Sequence, residues 1–173
     1  LMGSHVGPSP CHITGRQHSM AFRAGVALWG HMGVEADVRQ LSDTDRQVLS
    51  EAIALHKHHR ELIHEGSYQV VDRPAGEQAW MVIAPDHAQA LAALAILETP
   101  TTPFPSRYRF IALEPDRQYE LKLVWPDNLR PLQKNHRDAL TDTHWSGDWL
   151  MSVGLSLPIL QPESLLIYPL KAL

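Results

Sequence analysis

The stretch HAQALAALAILE (residues 87–98) decides the fold. Its Leu91, Leu94 and Leu97 recur at three-residue spacing and Ala fills most of the gaps, so intrinsic preference alone predicts a helix. Its neighbours argue otherwise. QAWMVIA (78–84) just before it and SLLIYPL (164–170) near the end are short apolar runs bounded by breakers, the pattern of strands. An antiparallel sheet needs a partner for 78–84 at this point in the chain. We therefore read 89–97 as a strand, which makes the second half of the chain β rather than α.

Working outward, RYRFIAL (107–113) and QYELKLVW (118–125) are separated by EPDR, whose Pro115 and Asp116 suit a turn. In the second run Tyr119, Leu121, Leu123 and Trp125 alternate with Gln118, Glu120 and Lys122, the two-residue period of a strand with one wet face. The pair predicts a β-hairpin, and Pro126 to His144 predicts a long irregular connection. Upstream, SMAFRAGVALW (19–29) is apolar nearly all round, as in a helix buried on several sides, and Gly30 and Gly33 break it. A second helix follows over 42–65, with Ser42 as its cap and Asp43 and Asp45 in its positive first turn. Val48, Ala52, Leu55, Leu62 and Ile63 form its stripe, and Gly66 closes it. The predicted class is α+β, mainly β, with two N-terminal helices followed by antiparallel strands.

A chain of 173 residues can bury a core as one domain, or one domain with an appendage. A net charge of -4 gives no basic stripe for nucleic acid and no attraction to an anionic membrane surface. Cys11 is the one cysteine, so the fold needs no disulfide and a cytoplasmic location is the default expectation. No apolar run approaches the roughly 18 to 20 residues that span a bilayer, and the first residues lack the order of a signal peptide.

Among candidate chemistries, HKHHR (56–60) with His64 suggests metal at first sight. It lacks the i, i+4 histidine pair with a third ligand, so we read a solvated helix face and no metal site. Cys11 lies near His5, His12 and His18, but a nucleophilic thiol needs a base and an orienting group held against it. The carboxylates fall in a helix first turn (Asp43, Asp45), in a turn (Glu114, Asp116) and in the long connection (Asp138, Asp142), which nominates no catalytic pair. The glycines make no phosphate-cradling loop, and no cofactor is expected. Trp80 and Trp125 read as core or sheet-face residues, while Trp145 and Trp149 are candidates for a sugar-stacking platform.

Four segments then occur in a telling order: MGSHVGPSPCHITGR (2–16), FRAGVALWGHMGVEADV (22–38), ALHKHHRELI (54–63) and SGDWLMSVGLSLP (146–158). Their order and spacing resemble the C-terminal part of family-36 α-galactosidases, also called melibiases. The family's first motif usually reads M-G-[SA]-H-V-S-x-x-P-N-H-Q-T-G-R. Met2 to Val6, Pro10, His12 and Thr14 to Arg16 match it, whereas Gly7, Cys11 and Ile13 depart from it. Gly3-Ser4-His5 alone resembles a vector remnant; the continuation through Arg16 makes it native.

The resemblance implies that residues 1–66 are the last strand, loop and helices of a truncated (β/α)8 barrel. It implies that 67–173 form a C-terminal antiparallel β-sandwich. Met2 to Val6 would be the final barrel strand. The family uses two aspartates in a retaining mechanism on terminal α-galactosides; both are expected upstream of Leu1, leaving this chain accessory and inactive by itself. Because barrel sites form at the C-terminal ends of strands, Ser4, His5, His12 and Arg16, with Cys11, are expected to line or brace the galactoside site of the full-length enzyme. For His5 two readings stand: a contact to a sugar hydroxyl or carboxylate, or a buried imidazole bonded to backbone. Two rival readings make the β-domain a carbohydrate-binding module working through Trp145 and Trp149, or make the barrel seam an assembly surface that draws the chain into a homo-oligomer.

Overall fold

The computed structural model describes residues 3–99, 105–126 and 143–173. The chain divides into two compact units, Leu1–His64 and Glu65–Leu173.

The first unit runs β1 (Gly3–Val6), α1 (Met20–Ala27), β2 (His31–Val34), a 3-10 turn (Val38–Gln40) and α2 (Asp43–Glu65). Ser19 caps α1, its Oγ accepting the Phe22 amide at 3.1 Å, and Ser42 caps α2 by accepting from the Asp45 amide at 3.1 Å. β1 and β2 pair in parallel, from Gly3 opposite His31 to Val6 opposite Val34, with α1 as the crossover. The sequence reading missed β2, so Met2 to Val6 is not the last strand of this unit. Four residues around Gly33 offer neither an apolar run nor a clean alternation, and Gly30 and Gly33 read only as helix breakers. On α2 the buried positions are Leu49, Ala52, His56 and Ile63, flanked by half-buried Val48, Leu55 and Leu62. His56 thus belongs to the inward stripe, which corrects the expectation that the whole of 56–60 is solvated.

The second unit holds β3 (Ser67–Val71), β4 (Glu77–Ile83), β5 (Gln89–Ile96), β6 (Gln118–Leu121), β7 (Thr143–Ser146), α3 (Gly147–Ser152) and β8 (Ser164–Ala172). They form one antiparallel sheet in the order β3-β4-β5-β8-β6-β7. The disputed segment is β5, paired along its length between β4 and β8. Ala90, Ala92, Leu94 and Ile96 join the main core on one face, and Leu91, Ala93 and Ala95 are equally buried on the other. Burial on both faces removes the apolar-polar alternation by which a half-exposed strand is recognised. Leu91 and Leu94 share a helix-like spacing yet point to opposite faces.

The expected hairpin does not form. β6 pairs with β8 and β7, while 107–113 makes only an isolated bridge, Tyr108 to Leu155. The amides of Ile111 and Leu113 go to the sulfurs of Met81 and Met151, each at 3.4 Å, rather than to a neighbouring strand. Ala112, with φ of 51°, takes the segment out of extended geometry. Beyond Leu121, which faces Leu170, the chain slips by one residue so that Trp125 faces Ile167, a bulge in the strand expected over 118–125.

Among the described residues the covering layer over this sheet is not a second sheet, as a β-sandwich would require. Tyr108, Phe110, Leu113, Leu150 of α3, Leu155, Leu157 and Leu160 close over one face as loop and helix. Two glycines let it approach. A Cβ on Gly147 would collide with the Glu114 carbonyl, and one on Gly154, whose φ is 73°, would collide with that of Tyr108. Residues 127–142 of the expected long connection lie outside the described residues. Among those described, no helix is long and apolar enough to cross a membrane.

Candidate functional site

The polar groups worth attention in the first unit gather where β1 and β2 end. Because the strands are parallel and in register, the residues at their C-terminal ends are neighbours: Val6 faces Val34, and the Glu35 amide donates to the Val6 carbonyl at 3.0 Å. His5, one residue before the end of β1, thereby comes against Glu35, with Nε2 3.1 Å from Oε2. Both side chains are open to solvent, 55% and 60% exposed. The pair presents an imidazole and a carboxylate together, a donor and an acceptor of the kind that reads vicinal hydroxyls. Among the described residues the His5 ring meets a carboxylate rather than a backbone carbonyl.

Ser4, next to His5, alternates to the other side of the strand and donates through Oγ to the Ala27 carbonyl at 2.6 Å. It thus satisfies one of the orphan carbonyls at the end of α1 and ties the strand to the helix. The loop after β1 is anchored at its start by Arg23, which donates to the Gly7 carbonyl at 2.5 Å and to that of His18 at 3.1 Å. Within it, residues 11–16 close on themselves. The Cys11 amide donates to the Arg16 carbonyl at 2.9 Å, and the Gly15 amide to the Cys11 carbonyl at 2.8 Å, with Gly15 at φ of 69°. The Thr14 hydroxyl, the Thr14 amide and the Ile13 amide all favour the thiolate of Cys11, lowering its pKa to about 7. His12 and Arg16 are exposed on this turn, and neither hydrogen-bonds to His5 among the described residues.

Of the residues expected at a site, the structure thus assigns Ser4 a brace, His5 an open ion pair, and His12 and Arg16 an exposed turn. Glu35 was missed, because its pairing depends on the unforeseen β2. The histidine-rich helix disperses: His56 donates to the Leu28 carbonyl, His58 and His59 meet edge to face at 4.6 Å, and His64 stacks on His31. Among the described residues no group of three or more His, Cys, Asp or Glu side chains is disposed to hold a metal ion. In the second unit the indoles of Trp145 and Trp149 lie face to face, centroids 3.8 Å apart and planes 12° apart, against the core. Each therefore spends one face on the other. Asp138 and Asp142 lie outside the described residues.

Two family models match. Residues 1–66 match Melibiase, and residues 77–165 match the glycosyl hydrolase family 36 C-terminal domain. An α-galactosidase of Escherichia coli is 34% identical over 99% of this chain and 25% of its own length. Alpha-galactosidase 1 of Pediococcus pentosaceus is 28% identical over 99% of this chain and 22% of its own. A crystal structure of the α-galactosidase AgaA of Geobacillus stearothermophilus in complex with raffinose superposes with a TM-score of 0.83 at 27% identity, over 99% of this chain and 22% of that one. The chain spans a quarter or less of these relatives' lengths.

Proposed function

This chain belongs to glycoside hydrolase family 36, whose C-terminal domain it carries, and from that premise we propose that it is the C-terminal part of a retaining α-galactosidase acting on terminal α-galactosides. The observation that carries the reading is the joint match of residues 1–66 and 77–165 to the two family models in chain order. In this reading residues 1–66 end a (β/α)8 barrel, with β1 and β2 as two of its parallel strands, and 67–173 are the accessory β-domain. The parallel β1-α1-β2 unit is the repeat from which such barrels are built.

The aspartates of the displacement lie elsewhere in the complete enzyme. Among the described aspartates, Asp37 and Asp43 are paired with Arg39 and Arg46. His5 and Glu35 sit at strand ends, where barrel enzymes bind substrate. They orient a galactoside of the raffinose or stachyose type, the sugars bound in the AgaA crystal structures. Ser4 holds the strand that carries His5, and His12 and Arg16 flank the sugar from the loop.

An aryl α-galactoside tests both parts. This chain alone is expected to give no turnover, and measurable turnover overturns its accessory role. In the complete enzyme, His5→Ala is expected to lower kcat/KM by roughly tenfold or more, as misplaced substrate does. The melting temperature should hardly move, because an exposed ion pair stabilises little. An unchanged kcat/KM removes His5 from the site.

A further inference from the structure

Three histidines meet at the end of the first unit opposite in β2 to Glu35. His31 opens β2, and its ring stacks on that of His64 in the last turn of α2, centroids 4.4 Å and planes 25° apart. His56, two turns earlier on α2, stands edge-on to His64 at 6.1 Å. Its Nδ1 lies 3.0 Å from the Leu28 carbonyl, the residue capping the end of α1. A carbonyl only accepts, so this contact fixes the proton on Nδ1. One cluster therefore joins α1, β2 and the C-terminal half of α2.

Stacking of this kind suits neutral imidazoles. Two imidazoliums at this separation repel, and the remaining groups that act on His64 add to the repulsion. They are His56 and Arg60, both on α2, with no carboxylate among them. Desolvation by the packed rings, followed by the charge that His31, His56 and Arg60 can place beside it, holds His64 below the usual imidazole range although the residue is exposed. A histidine depressed in the folded state contributes stability that is present above its unfolded pKa and is lost as the pH falls through the folded value.

We propose that His31, His56 and His64 form a pH-sensitive latch on the last turns of α2. It is closed while the imidazoles are neutral and released from β2 when acid charges both members of the stacked pair. Release frees the turn that leads through Gly66 into β3.

Hydrogen exchange of the full chain at pH 8 and pH 5.5, corrected for the intrinsic pH dependence of exchange, tests the latch. Amides of residues 60–65 are expected to lose protection roughly tenfold at the lower pH, as local opening of a helix's last turn implies, while β4 and β5 hold theirs. His31→Phe keeps a ring in the stack that cannot charge, and should retain protection at both pH values. Equal protection of 60–65 in the wild type at both pH values overturns the proposal, as does an acid response in His31→Phe as large as the wild type's. Should that variant misfold, NMR of the wild-type imidazoles decides. A through-space contact between the His31 and His64 rings is expected at pH 8 and should be lost at pH 5.5, and a contact that persists at pH 5.5 overturns the latch.

Discussion

The guanidinium of Arg73 lies over the ring of Tyr108, 5.7 Å from its centroid, and donates to the carboxylate of Glu77. It also donates to the Arg107 carbonyl at 2.7 Å and the Ser106 hydroxyl at 2.8 Å. Its side chain is 5% exposed and that of Glu77 11%. One cation thus fastens the loop after β3 to the segment that covers the sheet, with its charge paired and its donors satisfied.

Arg73→Met leaves Glu77 buried without its partner and is expected to cost about 3–5 kcal/mol in urea unfolding. Adding Glu77→Leu removes the orphaned charge and should recover a large part of that loss. A double variant no more stable than the single one contradicts the pairing.

Cys11 should react as a thiolate over the neutral range. Alkylation by iodoacetamide is expected to titrate with a midpoint near pH 7, against the ordinary thiol value of 9.0. The shift favours the charged form, so reactivity rises as the pH climbs through 7. Thr14→Val deletes the first cause and should carry the midpoint upward. Equal midpoints in the two proteins would show that the turn at 11–16 does not hold the sulfur as described.

Trp145 and Trp149 are expected to serve packing rather than sugar binding. Titration with melibiose should give no saturable change in indole fluorescence, because each ring already spends a face on the other. Trp149→Ala should instead lower stability by about 2 kcal/mol or more. Saturable binding that disappears in Trp149→Ala would favour a carbohydrate-binding module.

Much of the fold was legible because local rules and tertiary context agreed. Ser19 and Ser42 cap the helices that their positions predict, and β4 and β8 follow their apolar runs. Where the reading failed, a single long-range partner had overridden the local pattern. His56 carries a polar side chain in a polar-looking run, yet the Leu28 carbonyl makes its burial affordable. Residues 107–113 look like a strand, but methionine sulfurs take two of their amides.

The sequence by itself determined α1, α2, β4 and β8 and, through motifs spread along most of the chain, the family. It also held β5 as a strand, since only a sheet could use an apolar run between two others. What only the tertiary structure decided is which strands are neighbours and which side chains meet. The parallel pairing of β1 with β2 brings His5 to Glu35, and α2 returns His64 to His31. Such contacts join residues tens of positions apart. They depend on register and on the path of the chain between elements, and neither leaves a periodic trace in the sequence.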